Sequence, residues 1–149
     1  MTAADPFDLD RFVRAQDGGV FDRAVEELRR GRKASHWMWF VFPQVAGLGR
    51  SATAERYAIR SLDEARAYLA HPVLGPRLLL CAALAADAPE GRSAESVFGG
   101  IDAVKLRSSA TLFLRASESP EPAFLRVLDR FFDGAPDAAT DRLLGSGRG

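Results

Sequence analysis

Lysine, histidine, tryptophan and cysteine are scarce in this chain of 149 residues: two each of the first three, and a single cysteine, Cys81. One thiol excludes an internal disulfide and suits a reducing compartment. An excess of charge is missing too. Twenty Lys and Arg balance twenty Asp and Glu, so no global field draws the chain to nucleic acid or an anionic membrane. The longest apolar run, Leu78 to Ala86, is too short to span a bilayer. The start, Met1-Thr2-Ala3-Ala4-Asp5-Pro6, lacks the basic and apolar stretches of a secretion signal, and a cytoplasmic protein is expected. Runs that alternate at period two with β-branched residues are absent as well, so strands have little support.

What is present reads as globular and helical. Apolar residues make up 47% and charged residues 27%, enough for one core, with a single domain over residues 1–144 and a flexible tail over 145–149. Pro and Gly punctuate segments of helical period. The expected fold is an all-α, compact single-domain bundle of seven to nine short helices. Asp5-Pro6 reads as a cap with proline at the first helical position. Ala24, Val25 and Leu28 face inward on a second helix that Gly31 stops. Ser35 is placed to cap an aromatic helix from His36 to Phe42, ended by Pro43. Ser61-Leu62-Asp63-Glu64 fits a capping box. Leu74, Leu78, Cys81 and Leu84 or Ala85 line one stripe, and a long helix runs from Ile101 or Asp102 to Ala116. Pro120-Glu121-Pro122 opens another, and a last helix ends at Leu144.

The rare residue types crowd into Lys33-Ala34-Ser35-His36-Trp37-Met38-Trp39-Phe40-Val41-Phe42-Pro43-Gln44, which holds both tryptophans. A helix apolar on every face is ordinarily central core. The functional alternative has Trp37 or Trp39 walling a pocket for a flat ring, with His36 and Gln44 bonding its edge. Arg29, Arg30, Arg32 and Lys33 form a basic cluster beside Asp22, Glu26 and Glu27, read as a solvated face with an anion site as the minority reading. Gly47-Leu48-Gly49-Arg50-Ser51 is a glycine turn into a helix start, in which exposed amides with Arg50 and Ser51 can cradle an anion. It is neither a dinucleotide fingerprint nor a P-loop. Lys105, Ser108 and Ser109 share a helix face, either back-bonding to the preceding turn or facing a pocket with Lys105 reaching an anion. No metal site is expected from two histidines 35 positions apart and one cysteine, and no cofactor is called for. Cys81 reads as an inert core thiol. A general acid or base is not identifiable.

On the Ser35–Gln44 segment, the glycine turn, and Lys105-Leu106-Arg107-Ser108-Ser109-Ala110-Thr111-Leu112-Phe113, the chain resembles a bacterial family, number eighteen-ten in the domain-of-unknown-function series. The resemblance runs from Asp5-Pro6-Phe7 to about Leu144 and implies a compact helical domain without an established activity. The label calpastatin sometimes attached to the family implies protease inhibition, but nothing in this chain looks like that animal protein's disordered inhibitory repeats. A fainter similarity is to N-glycosidases of the NADAR type, through Ser35-His36-Trp37, Leu48-Gly49-Arg50 and His71-Pro72-Val73-Leu74. Ser35 stands where that family has a glutamate, which argues for binding without its chemistry.

The functional expectation is a domain that binds a small anionic, nucleotide- or ADP-ribose-like ligand, with hydrolysis as its enzymatic extension. Trp37 or Trp39 stacks the ring, Arg50 and Lys105 neutralise phosphate, and Gln44 and Ser109 orient polar edges. The alternative is a protein-interaction module in which the aromatic helix is core and the basic cluster meets a partner.

Overall fold

The computed structural model describes residues 4–118 and 121–146. Among them the chain is all-α, with ten helices and no strand. Besides these there is a single parallel bridge, Val45 to Ile59. The helices are α1 (Asp10–Ala15), α2 (Val20–Arg30), α3 (Met38–Val41), α4 (Ala52–Arg56), α5 (Leu62–Ala70), α6 (Leu74–Ala86), α7 (Ala94–Phe98), α8 (Gly100–Ala116), α9 (Pro122–Phe132) and α10 (Ala138–Ser146). The count exceeds seven to nine because α1, α3, α4 and α7 are one or two turns each, at the border between helix and turn. No single helix among the described residues is long and apolar enough to cross a membrane.

The longest helix, α8, is the axis and touches α5, α7, α9 and α10, while α6 packs on α2, α5 and α9. Aromatic rings from four helices meet edge or face through the core. Phe12 lies 5.1 Å from Tyr68, Tyr68 5.2 Å from Phe113, and Phe113 5.9 Å from Phe124, centroid to centroid. The stripe on α6 buries Leu74, Leu78, Cys81 and Ala85, leaving Leu84 partly exposed. Gly31 stops α2 in the left-handed region at φ 72°. A side chain there would also meet Pro89 at 2.8 Å, so the glycine lets the loop before α7 close on the end of α2.

Four local expectations change. Asp5 accepts from Leu9 and Asp10 N–H at 2.8 and 3.0 Å, but the N-cap of the first helix is Leu9, the helix begins at Asp10 and Pro6 lies in a preceding turn. Ser61 Oγ accepts from Glu64 N–H at 3.0 Å as the capping box requires. Glu64 does not reciprocate. It bonds Arg60 N–H at 3.0 Å and the guanidinium of Arg11 at 2.7 Å, a buried pair that outcompetes the local cap. The aromatic helix shrinks to Met38–Val41, and Ser35 does not cap it. The last helix runs two residues past Leu144, to Ser146. Of the flexible tail, Gly147 to Gly149 lie outside the described residues, as does Pro120 of the Pro-Glu-Pro segment.

Candidate functional site

Glu27 explains why the aromatic segment starts late. Its position on α2, three residues after Ala24, turns it inward, and it is 2% exposed. Its carboxylate accepts from Ala34 N–H at 2.6 Å, Ser35 N–H at 2.9 Å, Ser35 Oγ–H at 2.6 Å and Trp37 Nε1–H at 2.9 Å. Burial alone pushes its pKa up. The donors from Ser35, Ala34 and Trp37 outweigh that and hold it at about 2, against an ordinary 4.5. The loop 34–37 is therefore wrapped around an anion, and Ser35 is spent there rather than on a helix end. Glu27, read from the sequence as part of a solvated face, is a buried anchor.

The wrap sets Lys33 and Trp37. Lys33 N–H donates to Val97 O at 2.7 Å, and its side chain, 8% exposed, reaches Asp102 Oδ2 at 2.8 Å. Asp102 lies in the first turn of α8, one turn before Lys105, whose Nζ is 3.6 Å from the other oxygen, Oδ1. Each ammonium also faces a tryptophan ring: Lys33 is 5.2 Å from the centroid of Trp37, and Lys105 4.5 Å from that of Trp39. Both lysines and both tryptophans of the chain thus meet around one carboxylate. Two ammonium groups against one carboxylate leave an excess of positive charge there.

Lys105 lines a cleft of about 470 Å³ with Gln44, Leu48, Gly49, Ile101, Val104, Ser108, Asp137 and Ala139. Its walls are mainly apolar with a few polar groups, the usual make-up of a small-molecule site. Ile101 and Val104 stand 77% and 62% exposed beside it. Asp137 Oδ2 is occupied by Thr140, which donates both its N–H at 2.9 Å and its hydroxyl at 2.5 Å.

The sequence-predicted residues divide. Gln44, Lys105 and Ser108 come together in this cleft, with Trp39 partly exposed behind Lys105. Ser108 Oγ also shares a 2.8 Å hydrogen bond with Thr140 Oγ1. Ser109 is buried on the same helix, and its hydroxyl has no partner among the described residues. Arg50 lies on the far side of Gly49, in a neighbouring cleft with Glu55 and Arg60. Ser51 is spent on capping α4, accepting from Ala54 N–H at 3.1 Å. Trp37 is 1% exposed, closed to any ligand, and its ring packs with Phe42 and Phe98. His36 is exposed and lies before α3, not in it.

Sequence reading missed Glu27 and Asp102. The signal for Glu27 was available: a buried tryptophan needs an acceptor for its indole N–H, and a carboxylate beside Leu28 is placed to supply it. Cys81 is buried and its thiol is pushed up to about 12 by burial, which keeps it unreactive. No group of three His, Cys, Asp or Glu side chains among the described residues could hold a metal ion.

Comparison with known proteins agrees with this architecture. A family described as "Protein of unknown function (DUF1810)" matches over residues 6–144. The conserved hypothetical protein Rv1873 from Mycobacterium tuberculosis, known from a crystal structure, is 52% identical with a TM-score of 0.90. The match covers 95% of this chain and 99% of that one. No curated protein matches.

Proposed function

The chain belongs to the family described as protein of unknown function DUF1810, and we propose that it binds a small anionic ligand with an apolar, ring-sized body. The body lies against Leu48, Ile101 and Val104, the negative group meets Lys105, and Gln44 and Ser108 bond its edge. The observation that carries this reading is Lys105 itself. It lines an apolar cleft while sharing with Lys33 the one carboxylate it pairs with among the described residues, so its charge is incompletely answered. Trp39 steadies the ammonium from behind. Arg50, Ser51, His36 and Trp37 have no part in this version of the site. Hydrolysis of a glycosidic or phosphate bond is the enzymatic extension, and binding is put first because one oxygen of the cleft's carboxylate, Asp137 Oδ2, is held by Thr140.

The test is a thermal-shift series with AMP, ADP-ribose, flavin mononucleotide and sugar phosphates, run on the wild type and on Lys105→Ala. A ligand at about a hundred times its dissociation constant adds roughly 2.7 kcal/mol, a shift of several degrees in a domain of this size. A shift lost in Lys105→Ala supports the site and makes incubation with that compound the assay for turnover. A shift that survives the substitution removes Lys105 from it.

A second reading rests on Ile101 and Val104, which stand exposed at the start of α8. Side chains so placed suit a protein partner's apolar residue as well as a ring. No shift with any compound, together with weaker self-association in Ile101→Ser, Val104→Ser than in the wild type, favours that reading.

A further inference from the structure

On the other side of Asp102 lies a second cleft, of about 560 Å³, lined by Arg30, Arg32, Lys33, Ala34 and Arg92. The sequence alone gives it no shape, because Arg92 comes from a loop sixty residues after the others. The left-handed turn at Gly31 brings the two segments together, and Arg92 Nη1 donates to Gly31 O at 2.7 Å. The backbone of Arg92 is held as well, its carbonyl accepting from Arg130 at 3.2 Å. Lys33 is fixed by Val97 O and Asp102. Two of the four cations are therefore positioned before any ligand arrives.

The other two are solvent-exposed and only weakly engaged among the described residues. Arg30 has one ion pair among the described residues, a 3.9 Å contact to Glu26 between two well-solvated side chains, which is worth little. Arg32 is exposed and has no ion pair among the described residues. Among the described residues no carboxylate lines the cleft. The two behind its wall, Glu27 and Asp102, are already engaged, the first by four donors and the second by both lysines. Four cations against three carboxylates, Glu26 counted with Glu27 and Asp102, keep the cleft positive in a chain whose net charge is zero.

We infer that this cleft is a binding site for a phosphoryl-bearing small molecule carrying two or more negative charges. Guanidinium forks match phosphate oxygens in pairs, and a preplaced arginine and lysine reduce the ordering cost of holding a polyanion. A single carboxylate leaves most of that charge unanswered. A nucleic-acid strand needs a basic track beyond one cleft, and the balanced chain has no net charge to supply it. The inference does not depend on the proposed function, since Lys33 serves this cleft and Lys105 the other.

The probe is pyrophosphate, titrated calorimetrically into the full chain at low salt. Wild-type protein is expected to bind it. Arg30→Ser, Arg32→Ser is expected to bind it at least about tenfold more weakly, while Arg14→Ser, at an exposed position of α1, matches the wild type. Both arginine sites are exposed, so circular dichroism and melting should be unchanged. Arg92→Lys, which keeps the charge and loses the fork, is expected to fall between. Glucose 6-phosphate and inorganic phosphate then separate a phosphate ester from the free ion, and either one binding in an Arg32-dependent way upholds the site. Pyrophosphate that fails to bind, or binds the double variant as tightly as the wild type, overturns it. So does a single-stranded oligonucleotide that binds more tightly than pyrophosphate through the same arginines.

Discussion

The indole N–H of Trp37 donates to the buried carboxylate of Glu27 at 2.9 Å, joining the aromatic segment to α2 across ten residues of sequence. Glu27 stays ionised because three other donors share the work. Glu27→Gln puts an amide NH₂ against N–H and O–H groups that need acceptors. We expect it to cost about 2–4 kcal/mol, read as a fall in Tm.

The same residue sets an acid limb. Its folded pKa is about 2 against an ordinary 4.5, so its contribution is fully present above about 4.5 and fades as pH falls toward 2. The span is on the order of 3 kcal/mol. Denaturant unfolding at a series of pH values should show stability falling through that window in the wild type and a shallower fall in Glu27→Gln. Equal slopes would remove Glu27 from the acid limb.

Asp102→Asn leaves Lys33 nearly buried and without its ion-pair partner among the described residues. We expect a loss of about 1–3 kcal/mol. Adding Lys33→Met, which removes the stranded charge and keeps the length of the stem, is expected to restore part of it. A double variant no more stable than the single one argues against the charge account.

Gly75, in the second position of α6, tests packing at the α5–α6 corner. A methyl group there would sit 2.1 Å from the carbonyl oxygen of Leu69, which is backbone and has nowhere to go. Alanine's better helix propensity is worth about 1 kcal/mol and the clash costs more, so Gly75→Ala should destabilise by about 2 kcal/mol or more. Gly100→Ala, with open space at the same distance, is expected to be neutral or slightly stabilising.

Fluorescence separates the two tryptophans. In Trp39→Phe the remaining indole is Trp37, buried and shielded from acrylamide. In Trp37→Phe it is Trp39, partly exposed and quenched. Equal quenching of both would contradict the closed packing of Trp37 against Phe42 and Phe98.

Much of the helical order is legible because it is local. Gly31 stops α2, Ser51 and Ser61 cap α4 and α5, and the Leu74–Leu78–Cys81–Ala85 stripe turns inward at helical period. The misreadings arise where a distant partner wins. Glu64 leaves its capping box for Arg11, fifty-three residues away, and Ser35 leaves its helix end for Glu27. Of the candidate residues, Gln44 and Lys105 line one cleft and Arg50 lines a neighbouring one. Leu48 and Arg50, on either side of Gly49, line two different clefts.

The shared use of Asp102 has a practical side. Lysine-directed reagents and proteases meet a folded chain whose two ε-amines are both drawn against one carboxylate, with 8% and 18% of their side chains exposed. Acylation at those two positions is therefore expected to be slow while both ion pairs to Asp102 hold, and to quicken when the seam between the 33–37 loop and α8 opens. A slow, two-site modification would time how often that seam parts in an otherwise intact molecule.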